Sequence, residues 1–391
     1  MINSGLLDFI YMLDGLVVFK SLKKDPVLSR FRKMVLQLMD QESPDSALLA
    51  RGLYHEALPY LLETAENEGF AGNIFQKYIL NRVLADVNPF SLAYAGGGGL
   101  EENSSLADYA LRDFKSLIYL MKFDIPTHAA QLWGRDDAIA NYIPIKFSED
   151  DFYAELCNAD SPQALADLLQ MYYSSVGLGD IGRYCWLKFD GRRICGVSAD
   201  LAAANIHQHE REELAKNAIN YIHNLPFENT LIIGEGGSGK TAAMQLLARD
   251  LQHRSLRVLV LKAADLVKIS KIARIIAPHN KKFVFFIDDL TQTDYDRYFP
   301  HINEAAQMGM PLYAAACQDF PSHIFGLRIN LPKLEQSGFV DCAQKIAKHE
   351  GLELTDEFLS EYAQKYANAE NYTPGAARYT VNKIKLELSQ E

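Results

Sequence analysis

Gly234-Glu235-Gly236-Gly237-Ser238-Gly239-Lys240-Thr241 is the stretch that decides the fold. It satisfies every fixed position of the G-x-x-x-x-G-K-[ST] phosphate-binding loop. Glycines let the backbone wind tightly enough to aim several N–H groups at phosphate oxygens. The polarity of the helix start that follows adds attraction. In this pattern residues 234–242, ending at Ala242, cradle the phosphates of ATP. Lys240 reaches the β- and γ-phosphates, and the Thr241 hydroxyl ligates Mg²⁺. The flanks agree: Leu231-Ile232-Ile233 reads as a buried strand, and Ala242-Ala243-Met244-Gln245-Leu246-Leu247 as a helix.

Downstream, Phe283-Val284-Phe285-Phe286-Ile287 runs into Asp288-Asp289, the pattern of a Walker B strand. Asp288 is the expected metal ligand, and Asp289 is expected to orient or activate the attacking water. A plain strand-to-loop cap is the alternative for two such carboxylates. Short apolar runs at Thr230–Ile233, 257–261, 283–287, Leu312–Ala316 and 328–331 alternate with helical stretches. Alternation of this kind predicts an α/β core, residues 199–331, with a parallel five-stranded sheet. Residues 332–391 read as helical, with Thr355 as an N-cap and Pro374-Gly375 opening the last helix.

Upstream the character is different. Residues 1–180 read mainly as helix, with apolar spacing in Leu28-Phe31-Val35-Leu38-Met39 and Leu111-Phe114-Leu117-Ile118-Met121. Pro44, Asn88-Pro89 and Pro126 punctuate them, and the four glycines at 96–99 predict a mobile loop over 95–105. Residues 181–198 read as a β-hairpin linker turning at Asp190-Gly191. Residues 1–215 hold 19 basic and 30 acidic side chains, against 39 and 50 in all 391 residues, so the excess acidity lies in this half. Such a half would repel a phosphate backbone. Five cysteines without CxxC spacing suggest free thiols in a reducing compartment. Asp8 and Asp14 interrupt the apolar N-terminus, which argues against a signal peptide or membrane span and for a cytoplasmic location.

Three motif matches carry no function in this reading. Gly177-Leu178-Gly179-Asp180-Ile181-Gly182 fits GxGxxG, but a hairpin follows where a dinucleotide fold needs a helix. His207 and His209, two apart on a helix, face different ways and read as a solvated pair. Asn103-Ser104-Ser105 and Asn371-Tyr372-Thr373 match glycosylation sequons, which a cytoplasmic chain does not use.

The order of strands, loop and acidic strand, then a helical tail, resembles an AAA+ P-loop ATPase with its lid. The chain most resembles the bacterial domain of unknown function 815 ATPases. Asn88-Pro89-Phe90-Ser91-Leu92-Ala93, Gly177-x-Gly179 before the aromatic hairpin, the 217–224 helix and Asp288-Asp289-Leu290 fall in that family's order. The resemblance implies a sensor 1 residue after the fourth core strand. There Ala314-Ala315-Ala316 leads into Cys317 and Gln318, and Gln318 is the better hydrogen-bonding candidate. Gly375-Ala376-Ala377-Arg378 resembles the sensor 2 form that sets a guanidinium on the γ-phosphate. Arg328, the only arginine between the sensor 1 strand and the lid, is the candidate for an arginine supplied to a neighbouring subunit. Asn205, Ile206 and His207 map loosely onto the adenine pocket.

These readings imply a Mg²⁺-dependent ATPase in a homo-oligomer, coupling ATP binding and hydrolysis to remodelling or loading of a protein partner. A helicase-loader-like nucleic-acid remodeller and a non-hydrolysing ATP-binding switch are the alternatives. Basic runs at Lys268-Lys271-Arg274 and Lys281-Lys282 are the features that speak for nucleic acid.

Overall fold

The first N–H groups of a helix have no partner inside it, and short polar side chains supply one. In the computed structural model, which describes residues 4–40, 45–100, 104–133, 141–145, 151–197, 207–366 and 372–388, this chemistry sets several helix starts. Asp25 accepts from the N–H groups of Val27 (2.9 Å) and Leu28 (3.0 Å), with Pro26 in the first turn. Asn88 and Ser91 form a reciprocal capping box around Pro89.

The helices of the N-terminal unit, Met1–Gly182, are α1 (Ser4–Asp14), α2 (Pro26–Met39), α3 (Ser46–Glu68), α4 (Ile74–Ala85), α5 (Pro89–Ala95), α6 (Ser105–Lys122), α7 (Ile125–Leu132), α8 (Asp151–Asn158), α9 (Pro162–Ser175) and the short α10 (Gly179–Arg183) that closes it. Their apolar stripes meet in a core rich in rings, including Phe31 edge-on to Phe75 at 5.5 Å and Phe90 edge-on to Phe114 at 5.1 Å. One buried charge organises this core. The carboxylate of Asp113, 2% exposed, accepts from the N–H groups of Val17 (2.9 Å), Val18 (2.7 Å) and Phe19 (2.9 Å). Three charge-assisted bonds from consecutive amides satisfy a turn that no helix or strand could serve.

The glycines at 96–99 are not a free loop. Gly97 N–H donates to Tyr94 O (3.0 Å), and those of Gly98 (3.2 Å) and Gly99 (2.9 Å) donate to Ala93 O, closing the end of α5. Gly97 (φ 80°) and Gly99 (φ 81°) take the left-handed conformation that such a helix end requires. The rest of the expected loop falls partly outside the described residues.

The second unit, Arg183–Glu391, is built on one sheet. Its strands are β1 (Trp186–Phe189), β2 (Ile194–Gly196), β3 (Thr230–Ile233), β4 (Leu256–Leu261), β5 (Lys282–Ile287), β6 (Leu312–Ala316) and β7 (Leu327–Asn330). The order is β2-β1-β4-β5-β6-β3-β7, parallel except for the β1–β2 pair. Five of these strands are those expected from sequence, within a residue at each end. The sheet nevertheless has seven strands rather than five. The hairpin read as a linker pairs through β1 with β4, Leu187 opposite Leu259, and extends the sheet. Its apolar alternation had to be buried somewhere, and the open edge of β4 offered both an apolar face and free backbone groups.

Helices α11 (Gln208–Ile222), α12 (Lys240–Asp250), α13 (Ile269–Ile276) and α14 (Gln292–Ala306) belong to the same unit as the strands. Asn217 fixes α11: its Nδ2 lies 2.7 Å from Glu228 O, 3.1 Å from Thr230 Oγ1 and 2.9 Å from the Tyr313 hydroxyl. Helices α15 (Gln336–His349), α16 (Asp356–Tyr366) and α17 (Pro374–Leu388) close a small core of their own around Phe339, Ile346, Leu359 and Val381. Among the described residues no helix is long and apolar enough to cross a membrane.

Candidate nucleotide-binding site

Register brings the two sequence motifs together. β6 lies between β3 and β5, with Ile233 opposite Ala316 and Ile287 opposite Ala314, so the loops after β3 and β5 leave the same end of the sheet. The chain order reverses at β3, where open α/β sheets leave a crevice for ligands.

The loop after β3 is wound around its own lysine. Lys240, 5% exposed, donates through Nζ to the carbonyl oxygens of Gly234 (2.6 Å) and Glu235 (3.0 Å). Gly237 (φ 79°) and Gly239 (φ 96°) are left-handed, which aims the intervening amides inward as a side-chain-bearing residue would resist. Gly239 caps α12 and lines the same cavity as Lys240 and Thr241. The Ser238 hydroxyl is buried there without a hydrogen-bond partner among the described residues.

Thr241 Oγ1 lies 3.0 Å from both carboxylate oxygens of Asp288. Burial raises the Asp288 pKa above the usual carboxylate range; the Thr241 bond and Lys240 oppose this, while the charge of Asp289 adds to it. A hydroxyl beside a carboxylate is a hard-oxygen donor pair. It fits Mg²⁺, which takes few protein ligands and shares the rest with phosphate and water. Asp289 is left-handed (φ 54°), and that turn lets Leu290 N–H reach Ala315 O at 2.7 Å.

These groups line a cavity of about 430 Å³, within the range of small-molecule sites. The loop supplies Gly236, Lys240 and Thr241 to its wall, α12 supplies Gln245, the turn after β5 supplies Asp289, and α17 supplies Arg378. The lid touches the loop directly. Gly375 N–H donates to Gly237 O (2.9 Å), and a Cβ added at Gly375 would sit 3.0 Å from Gly237 Cα. Lys333, at the entry to the lid, pairs with Glu235 at 3.1 Å.

Other expected residues lie elsewhere. Gln318 is exposed beyond β6 and does not line the cavity. Arg328 is held within its own surroundings: Nη1 donates to Phe325 O (2.8 Å), Nη2 to Ser322 O (3.0 Å), and Nε faces Asp319 at 3.3 Å. Asn205 and Ile206 lie outside the described residues. His207 is not the solvated residue read from sequence. Its Nε2–H donates to Ser238 O (3.1 Å), and burial lowers its pKa, so the ring is neutral beside the loop. With Ala242, Leu246 and Pro374 it lines a narrow cleft next to the phosphate cavity. Two contributors, Gln245 and the Gly375 amide, were missed. Gln245 had a signal, its helical spacing of four from Thr241; Gly375 had none beyond its place in the sensor 2 pattern.

A glycine-rich loop after a parallel strand, an acidic turn beside it and the start of α17 against the loop thus form one site on an α/β fold with a mostly parallel sheet. Residues 198–305, a little over a quarter of the chain, match the family model described as "Protein of unknown function (DUF815)", and the resemblance read from the sequence holds over that stretch. Among solved structures, the Thermotoga maritima RuvB Holliday junction branch migration motor is 18% identical, over 47% of this chain and 63% of its own, with a TM-score of 0.35. The Aeropyrum pernix ORC1 protein, solved in complex with DNA, is 12% identical over 48% and 62%, with a TM-score of 0.39. Domain III of the Thermotoga maritima replication initiation protein DnaA is 16% identical over 48% and 87%, with a TM-score of 0.36. The chain thus spans less than two thirds of the RuvB and ORC1 chains. No curated protein matches it.

Proposed function

We propose that this protein is a Mg²⁺-dependent ATPase of the AAA+ type that works on a protein partner. The observation that carries the reading is convergence. Lys240, Thr241, Asp289 and Arg378, from the loop, the acidic turn and the lid, line one cavity, and Asp288 bonds Thr241 at its wall. Lys240 and Arg378 would balance phosphate charge, and Asp289 would align the attacking water. Thr241 and Asp288 would hold Mg²⁺, which supplies charge neutralisation between the β- and γ-phosphates. Nucleotide state would then alter how the lid sits on the loop and pass that change to a partner.

A protein partner is favoured by charge and by surface. The acidic N-terminal half disfavours a polyanion. The N-terminal unit also exposes Tyr11 (76%), Val17 (52%) and Tyr109 (45%) around one apolar groove. The site would be completed in a homo-oligomer; Arg328, the candidate residue for a neighbour, would have to leave its bonds to Phe325, Ser322 and Asp319 to reach one.

ATP turnover by the wild type, Lys240→Ala and Asp289→Asn, with solution mass measured with and without ATP, tests the proposal. Turnover that falls at least about 100-fold in both variants, with ATP-dependent assembly of the wild type, is the expected result. Tight ATP binding without turnover would point to a switch instead, and no binding at all would sink the reading.

A further inference from the structure

Resting on that reading, the geometry points to Gln245 as a second residue that positions the hydrolytic water, in the cavity it shares with Asp289. Gln245 follows Thr241 by four residues on α12, so the two side chains share a helix face, one turn apart. The Thr241 hydroxyl meets Asp288 on that face. The residues around Gln245, Met244, Leu246 and Leu247, are buried, and Met244 and Leu247 belong to the sheet core. Gln245 alone of this group lines the cavity that Asp289 and Arg378 also line. It is half-buried, and neither its carbonyl nor its amino group has a hydrogen bond among the described residues. A carboxamide left unspent at a cavity wall is free to bond a ligand or a water there.

The chemistry of the site explains why an amide suits this place. Asp289 is one methylene shorter than a glutamate, and one hydrogen bond from it would leave a water free to swing. A glutamine is uncharged, so it can stand beside a triphosphate without repulsion, and it carries both an acceptor and donors. Its Oε1 would accept one O–H of the water, the other O–H would point to Asp289, and the oxygen lone pair would face the γ-phosphorus. In the step, the water oxygen bonds to the γ-phosphorus and the bond to the β,γ-bridging oxygen breaks. That electron pair leaves on ADP, and the water proton passes by way of Asp289 to the released phosphate. Gln245 donates and accepts nothing covalently; it fixes the approach, and a misplaced approach costs about 100-fold in rate.

The test compares the full-length wild type with Gln245→Ala and Gln245→Met, the second keeping the volume but not the amide. Steady-state ATP turnover with Mg²⁺ is read beside titration of a fluorescent N-methylanthraniloyl ATP. Both variants are expected to lose kcat by about 100-fold with nucleotide affinity within about twofold of wild type. The inference is overturned if Gln245→Met restores turnover, if kcat stays near wild type in either variant, or if affinity falls as far as kcat/KM. Wild-type protein that binds ATP and never turns it over would instead overturn the hydrolytic reading itself, and this inference with it.

Discussion

In the helical unit the Asp113 carboxylate reaches backbone amides 94 to 96 residues away, whereas in the α/β unit Lys240 satisfies carbonyls five and six residues behind it. Both arrangements hold an irregular turn by surrounding it with charge-assisted bonds. They differ in where the partner comes from. A turn closed by its own neighbours is a property of a short stretch, and any chain with that stretch forms it. A turn closed from a distant helix exists only once the whole unit has assembled. The α/β unit should therefore keep its site through local damage elsewhere, and the helical unit should fail as a whole when one distant partner is removed.

Asp113→Ala puts that contrast under the greatest strain. It strands three amides, two of them in buried bonds, and should cost the helical unit about 3 kcal/mol. The two tryptophans, Trp133 and Trp186, fall one in each unit, so Trp186→Phe and Trp133→Phe backgrounds report them separately in denaturant titrations. The Trp133 transition is expected to shift and the Trp186 transition to stay. A joint shift would show that the two units unfold together and would break the comparison.

Gly375→Ala probes a place where the loop meets a remote part of the chain. The added methyl would crowd Gly237 Cα at 3.0 Å, while alanine's better helix propensity returns part of the loss. A net cost of about 1 kcal/mol and roughly tenfold slower ATP turnover are expected. Unchanged turnover would mean that the lid contact is incidental to the site.

The effect confined to the narrowest range of conditions is one of pH. Burial, with Lys281 and Arg257 nearby, lowers the His279 pKa to about 4. Because the unfolded chain binds this proton first, its contribution is complete above the ordinary histidine range and is lost as pH falls through about 4. The Trp186 transition should therefore weaken between those limits, and His279→Gln should flatten the dependence. A profile unchanged by the substitution would assign the loss to other groups.

The same contrast explains what could be read in advance. The loop and five strands, the acidic one among them, were legible because each is a short run whose turn chemistry and apolar length are local. The union of the hairpin with the sheet was not, since β1 finds β4 some seventy residues away and pairing of that range leaves no mark in either segment. The bonds that tie the glycines at 96–99 to the end of α5 were not legible, because left-handed helix ends and free loops use the same residue. His207 looked like a surface histidine by spacing; its left-handed turn and its bond to Ser238 come from packing on the loop.

The amide of Gly375 has one more property. It is bonded to a carbonyl of the phosphate loop, so its exchange with solvent requires that the lid and the loop part. Equilibrium coupling runs both ways: whatever tightens the loop in this shape must slow that exchange by the same free energy, and whatever distorts the loop must speed it. A single proton at the start of α17 is thus a gauge of the loop, readable without any knowledge of what the protein acts upon.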